Sequence, residues 1–138
     1  MNPILVDTGF IVTRLDDSQR YHAECLAVLP GMADPFLITC EAVISESCHL
    51  LRRVNGAKET ILENVEKGIF KIPFSLSRRA AEVSTLIKKY ADVPMDLADA
   101  CLVDLATQVG SGRILTLDGD FKVYRWGRNR AFEILIDI

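Results

Sequence analysis

Four acidic residues lie at the ends of apolar segments or inside them. They are Asp7, Glu46, Asp99 and Asp118. None has a lysine or arginine beside it in sequence, and Arg52 and Arg53 are the basic residues nearest to Glu46. Carboxylates that converge without a cation repel one another and raise each other's pKa values. Oxygen-only ligands suit Mg²⁺ or Mn²⁺ rather than zinc, and such ions activate water for attack on phosphorus.

Two of these acids follow short apolar segments that predict buried parallel strands. Residues 4–6 lead into Asp7, and residues 113–117 lead into Asp118. Open α/β sheets carry their chemistry at the carboxyl ends of such strands. Asp7 alone is explained equally well as the N-cap of the helix that follows it. Because a second strand also delivers an aspartate, the pair favours a shared site.

The segment from Pro94 to Phe121 predicts a helix, a turn, a strand and a loop. Asp96 is the expected N-cap, because Pro94 stops the preceding segment and an apolar run follows. Asp99 lies three residues further on and therefore shares a face with Asp96. Gly110 is among the glycines that end this helix.

A second helix, predicted from Cys40 to Val54, carries one acid that breaks its pattern. Glu46 lies four residues from both Ala42 and Leu50, so the spacing places it on or beside the apolar stripe that faces the core. A carboxylate there costs several kcal/mol unless it is paired or bound to a metal. Two interpretations stay open, a metal ligand and a salt-bridge partner of one of the arginines that follow.

Positive charge is concentrated between Lys122 and Arg130, where Tyr124 and Trp126 lie among basic residues. The net charge of −3 gives the chain no general attraction for nucleic acid, so affinity must come from a local patch. Basic residues that alternate with aromatic ones suit single-stranded nucleic acid. The predicted binding residues are Arg125, Arg128 and Arg130. The alternative is a solvated turn with Trp126 packed on the core.

Length and composition indicate one α/β domain. The 138 residues suffice for one core and leave no room for a second, and 49 % are hydrophobic, as in ordinary globular proteins. Short apolar segments at 4–6, 35–39, 69–73, 113–117 and 131–137 alternate with helical patterns. This alternation predicts a single three-layer α/β/α domain over residues 1–138, with a mainly parallel central sheet.

Several features suggest a cytoplasmic protein with no membrane segment. No apolar run approaches the ~18–20 residues of a membrane span, and the N-terminal residues lack the basic region of an export signal. The four cysteines form no C-x-x-C pair, so we expect reduced, buried thiols.

At its acidic residues the chain resembles the PIN-domain ribonucleases, the family that includes the toxins of VapBC toxin–antitoxin pairs. The resemblance covers nearly the whole chain and rests on Asp7-Thr8 after the first strand, VISESCHLL around Glu46, PMDLADACLV around Asp99 and ILTLDGDF around Asp118. It implies that these four acids bind Mg²⁺ or Mn²⁺ and catalyse hydrolysis of RNA phosphodiester bonds. It also implies an antitoxin partner and a homodimer. Supporting positions are Thr8, Asp96, Thr116 and Asp120.

Other families that begin with a strand and an aspartate fit less well. A haloacid-dehalogenase-type phosphatase needs a second aspartate two residues after the first, where this chain has Gly9. A receiver domain would place a lysine after a late strand, where this chain has Asp118. The remaining alternative is a PIN fold that binds RNA or a protein without cutting, and the intact acidic set argues against it.

Overall fold

Five short strands form the central sheet of the computed structural model, which describes residues 2–138. In sheet order they are β3 (Phe70–Lys71), β2 (Phe36–Ile38), β1 (Pro3–Val6), β4 (Arg113–Leu115) and β7 (Glu133–Ile134). Every neighbouring pair is parallel. The predicted parallel sheet is therefore confirmed, and β1 lies at its centre.

Among residues 2–138, six α-helices flank this sheet and complete the predicted three-layer α/β/α architecture. They are α1 (Thr8–Leu15), α2 (His22–Val28), α3 (Glu41–Leu50), α4 (Ala57–Glu66), α5 (Leu76–Lys89) and α6 (Leu97–Val109). The chain moves from β1 through β2 to β3 and then returns past β1 to β4. Because such crossovers are right-handed, this reversal places α5 and α6 on the opposite face from the earlier helices. The order of the strands reverses between β1 and β4, where open α/β sheets bind their ligands.

The centre of the sheet is apolar on both faces. Leu5 of β1 pairs with Ile38 on one side and Ile114 on the other, and all three side chains are buried. Strands covered on both faces read as continuous apolar runs rather than alternating ones. This burial explains the run from Ile4 to Val6 and fixes the ends of β1 and β4 next to each other.

Helix α6 is buried on every side over nine consecutive residues, Ala98–Ala106. Two of the nine are aspartates. Asp104 is only 3 % exposed and accepts two 2.8 Å hydrogen bonds from the guanidinium of Arg79 on α5. Asp99 has no such cation among the described residues. One buried carboxylate is therefore neutralised within the fold and the other is not.

The predicted C-terminal strand over residues 131–137 is wrong in its extent. Residues Arg130–Ala131 form β6, which pairs antiparallel with β5 (Arg125–Trp126), and only Glu133–Ile134 enters the central sheet as β7. The hairpin turn has positive φ angles at Gly127 and Asn129, which these residue types tolerate. The hairpin takes Ala131 into β6, so the central sheet receives only the part of the predicted strand that follows.

The predicted helix over residues 40–54 is shorter than expected, because Cys40 is its N-cap and α3 ends at Leu50. Between residues 2 and 138, no helix is long and apolar enough to cross a membrane. All four cysteines are free, and three of them are buried.

Candidate metal centre

Three carboxylates meet beyond the carboxyl ends of β1 and β4. One oxygen from each of Asp7, Asp99 and Asp118 lies within 4.8 Å of the other two. Asp7 follows β1, Asp118 lies three residues after β4, and Asp99 comes from the first turn of α6. Three separate segments thus build one carboxylate cluster.

Asp7 is both a helix cap and a member of the cluster. Its Oδ1 accepts a 2.8 Å hydrogen bond from the backbone N–H of Thr8 at the start of α1, and its Oδ2 accepts one of 2.7 Å from Thr116 Oγ1. The same Thr116 hydroxyl accepts a 3.0 Å bond from the backbone N–H of Asp118. Thr116 therefore holds the ends of β1 and β4 together through two of the three acids.

Asp96 positions Asp99 from the start of α6. Its Oδ1 accepts a 2.8 Å hydrogen bond from the backbone N–H of Asp99, which confirms the predicted N-cap. The Asp96 side chain is exposed and lines the same cavity as the cluster. It therefore adds negative charge at the rim of the cavity.

Tyr124 also contacts the cluster, and the sequence analysis did not assign it to the site. Its hydroxyl donates a 3.1 Å hydrogen bond to Asp99 Oδ2, and its buried ring packs edge-on against Tyr90 and Phe121 at centroid distances of 5.1 Å. Burial raises the pKa of Tyr124 above its usual range, and the charge of Asp99 adds to this effect. The phenol thus stays protonated and donates to Asp99.

Asp118 and Asp120 have different positions. Asp118 Oδ1 accepts a 2.9 Å hydrogen bond from the backbone N–H of Asp120, at the start of the 3₁₀ helix Gly119–Lys122. Asp120 is half-buried, and its carboxylate lies outside the three-residue cluster. Asp120 therefore supports Asp118 through its backbone.

Burial raises the pKa values of two cluster acids well above the ordinary 3.8. The pKa of Asp7 rises to about 6, mainly because Asp7 is buried, and the charges of Asp118 and Asp96 add to this rise. The pKa of Asp99 rises to about 8, again through burial first and then through Asp96, Asp7 and Asp118. Hydrogen bonds from Thr116 and Thr8 to Asp7, and from Tyr124 to Asp99, reduce these shifts. A bound cation would remove the repulsion.

The surroundings of the cluster fit a divalent metal ion. The acid cavity, about 400 Å³ in volume and bordered by the cluster and by Glu46, has no lysine or arginine among its described lining residues. Thr8 Oγ1 on its wall is buried and has no hydrogen-bond partner in the protein. Since buried hydroxyls are normally paired, a metal-bound water would satisfy it. Oxygen-only donors of this kind suit Mg²⁺ or Mn²⁺.

Glu46 borders the acid cavity but lies outside the three-residue cluster. The prediction that its stripe faces the core is wrong, because Leu50 on the same stripe is 53 % exposed and α3 buries Val43 and Ser47 instead. Along the described chain Glu46 forms no ion pair. The salt-bridge interpretation therefore finds no partner, and Glu46 faces the cavity as a half-buried carboxylate.

The hairpin that carries the predicted nucleic-acid-binding arginines lies at the other end of the sheet. Trp126 packs on Gly112, just before β4, so closely that a Cβ at Gly112 would lie 1.9 Å from Trp126 Nε1. The backbone N–H of Gly127 donates to Thr107 Oγ1 in the last turn of α6. The acids follow β4 and occupy the first turn of α6, roughly 12 Å away along the helix axis. The structure does not bring this hairpin to the acids.

The three arginines differ in their surroundings. Arg125 Nη1 donates to the backbone carbonyls of Lys122, Val123 and Tyr124, so it caps the turn after the 3₁₀ helix. Arg128 and Arg130 are exposed, and the Arg130 guanidinium lies 5.2 Å from the ring centroid of Trp126. Trp126 itself is only 9 % exposed and donates to the Ala131 carbonyl, which leaves little of its ring for stacking on a base.

The family model for the PIN domain matches residues 4–127, a range that contains every acid of the cluster and Glu46. The chain belongs to the PIN-domain family. It is 25 % identical over 117 residues to Ribonuclease VapC26 of Mycobacterium tuberculosis (strain ATCC 25618 / H37Rv), a match that covers 83 % of this chain and 86 % of that protein. The family resemblance seen in the sequence is thereby confirmed.

A solved structure shares the fold of this PIN domain. The crystal structure of Mycobacterium tuberculosis VapC20, described as a Sarcin-Ricin loop cleaving toxin, matches with a TM-score of 0.79 at 18 % identity. The match covers 87 % of this chain and 93 % of that chain. The parallel sheet flanked by helices is therefore the PIN-like α/β/α fold.

Proposed function

We propose that this PIN-domain protein is a metal-dependent ribonuclease that hydrolyses RNA phosphodiester bonds and serves as the toxin of a toxin–antitoxin pair. The observation that carries this proposal is the convergence of Asp7, Asp99 and Asp118 without a lysine or arginine. Similar proteins include a sequence relative named Ribonuclease VapC26 and a solved structure described as a Sarcin-Ricin loop cleaving toxin. Both names agree with the chemistry that the site suggests.

The acids of the site would take different parts in holding a divalent ion. Asp7, Asp99 and Asp118 would hold it directly, and Glu46 would bind from the wall of the acid cavity. A bound Mg²⁺ or Mn²⁺ would stabilise negative charge on a phosphate oxygen and lower the pKa of a coordinated water. Thr116 keeps two of the acids in place, and the Thr8 hydroxyl is available to orient a water molecule.

Partners and location form part of the same proposal. We infer an RNA substrate, an antitoxin protein and a homodimer from the family to which the chain belongs. The four free thiols agree with a cytoplasmic protein. The second candidate function is a PIN fold that binds RNA or protein without cleavage. A carboxylate cluster with no lysine or arginine beside it favours metal-dependent cleavage over this alternative.

We expect the purified protein to cleave single-stranded RNA only when a divalent metal is present. The test incubates labelled RNA of mixed sequence with the protein in EDTA, Mg²⁺ or Mn²⁺ and follows fragments on a gel. Cleavage should appear with Mg²⁺ or Mn²⁺ and stop with EDTA, because the acid cavity has no lysine or arginine to stabilise a developing negative charge. Equal cleavage in EDTA, or no cleavage with either metal, would contradict the proposal.

The change Glu46→Gln should greatly reduce RNA cleavage while leaving the melting temperature almost unchanged. The amide has nearly the same shape but is a poor metal ligand, and no paired cation is stranded because Glu46 has none in the described structure. The matched control is Glu41→Gln, an exposed acid in the first turn of the same helix. Full activity of the Glu46 variant together with a lower melting temperature would show that Glu46 is not part of the catalytic site.

A further inference from the structure

A second cavity adjoins the acid cavity across Asp118. This flanking cavity has a volume of about 340 Å³ and lies between the 3₁₀ helix and the C-terminal segment. Leu117 and Asp118 line both cavities. Its other apolar walls come from Ile134, Ile136 and Ile138. An RNA strand bound at the carboxylate cluster would therefore reach the flanking cavity by passing over Asp118.

The flanking cavity contains the positive charge that the acid cavity lacks. Lys122 is the only lysine or arginine among the described residues that line either cavity. It is exposed, and within residues 2–138 its ammonium forms no ion pair. The side chain is therefore available to a bound anion. By contrast, the hairpin arginines Arg128 and Arg130 lie towards the other end of α6.

The size and lining of the flanking cavity suit one nucleotide. Its volume is at the lower end of the roughly 300–1,000 Å³ of small-molecule sites. Such sites combine apolar walls with a few placed polar groups, and here Ile134 and Ile136 provide the apolar surface while Lys122 provides the cation. Asp137 on the same wall offers an acceptor for a sugar hydroxyl or an amino group of a base.

We propose that the flanking cavity binds the nucleotide next to the cleaved bond, with its phosphate on Lys122 and its sugar and base against Ile134 and Ile136. This inference rests on the proposed ribonuclease function and adds a path for the RNA. The strand would run from the carboxylate cluster over Asp118 towards Lys122. It would not need the hairpin that carries Arg128 and Arg130.

Two substitutions test the flanking cavity without touching the carboxylate cluster. Lys122→Ala removes the cation, with exposed Lys58 of α4, which lines neither cavity, changed to Ala as its control. Gly119→Glu adds negative charge to the cavity wall, with Gly119→Ala as its control. A Cβ at Gly119 would meet no atom within 4 Å, so Gly119→Ala creates no clash, and Gly119 is exposed, so the longer glutamate side chain can extend into solvent.

We expect Lys122→Ala to raise KM for a labelled single-stranded RNA by roughly fivefold, the upper end for an exposed ion contact. The salt dependence of RNA binding should flatten by about 0.7 on a log–log plot, the value for one lost phosphate contact on a single strand. Gly119→Glu should raise KM further, whereas kcat and the Mn²⁺-induced rise in melting temperature should stay near the wild-type values. Both control variants should match the wild type.

Binding measured by fluorescence anisotropy in Ca²⁺, on RNA shown by gel to be intact, separates the two possible failures. If the wild type cleaves RNA but Lys122→Ala and Gly119→Glu keep the wild-type KM and salt dependence, the flanking cavity is not a nucleotide site. If the wild type binds RNA through Lys122 but never cleaves it, the ribonuclease function fails and the RNA path stands. If the wild type neither binds nor cleaves RNA, both proposals are wrong.

Discussion

Asp99→Asn is expected to abolish RNA cleavage and, at the same time, to stabilise the metal-free protein at neutral pH. Asp99 is buried beside two other carboxylates, and its pKa is raised to about 8. The neutral amide needs neither a proton nor a cation and can still accept the hydrogen bond from Tyr124. We expect a gain of roughly 2–4 kcal/mol in the free energy of unfolding at neutral pH. Cleavage should fall by more than about a hundredfold, since a direct metal ligand is lost.

The same helix offers a matched control with the opposite expected sign. Asp104 is as deeply buried as Asp99 but pairs with Arg79 through two hydrogen bonds. Asp104→Asn should therefore lower the melting temperature, because it removes the buried carboxylate that pairs with the Arg79 guanidinium and leaves only the longer 3.8 Å ion pair with Glu82. Thermal melts in EDTA compare the two variants directly. A lower melting temperature for Asp99→Asn would mean that this carboxylate stabilises the fold, and Asp99 would then lose its assignment as a ligand.

The strand-end acids were predictable because local sequence determines both the strand and its last residues. The apolar runs before Asp7 and Asp118 are typical of strands in a covered parallel sheet, and the carboxyl ends of such strands share one edge. The N-cap at Asp96 was predictable for the same reason, since Pro94 and the apolar run that follows act locally. The three-layer fold followed from the alternation of strands and helices.

The contact between Tyr124 and Asp99 was not predictable, because it joins α6 to the residue just before β5, the first strand of the hairpin, 25 residues further along the chain. The position of that hairpin depends on the packing of Trp126 against Gly112 and on positive φ angles at Gly127 and Asn129. None of these is visible in the spacing of charged and aromatic residues. The alternation in this segment therefore left two interpretations open, base stacking and packing of Trp126 on the core, and the structure buries both Tyr124 and Trp126.

Helical periodicity also did not predict which side of α3 faces the core. Val43 and Ser47 are buried, whereas Leu50 on the neighbouring stripe borders the acid cavity. Both stripes are mostly apolar in sequence, so a period of 3.6 residues does not distinguish them. Only the packing of α3 against other elements decides that Glu46 faces the cavity instead of the interior.

The stability of the metal-free protein should fall as the pH rises, and bound Mn²⁺ should remove most of this fall. The folded-state pKa values of Asp7 and Asp99, about 6 and about 8, lie above the ordinary value of 3.8. Between pH 3.8 and about pH 8 the folded state binds more protons than the unfolded state, so the metal-free protein loses stability as the pH rises. Asp7 alone contributes a loss of about 3 kcal/mol. Metal binding requires the deprotonated acids, so the stabilisation by Mn²⁺ should grow over the same range.

Melting curves in EDTA and in Mn²⁺, recorded from about pH 5 to about pH 8, measure how far the metal flattens the pH dependence. At a free metal concentration of one hundred times Kd the stabilisation is about 2.7 kcal/mol, which corresponds to roughly 9 °C for a domain of this length. The difference between the two melting temperatures should be small at acid pH, where protons occupy the cluster, and largest at the alkaline end. Asp99→Asn should flatten the EDTA curve, because it removes the group with the higher pKa. Parallel curves for EDTA and Mn²⁺ at every pH would show that the metal does not compete with protons for Asp7 and Asp99, and the cluster would not be the metal site.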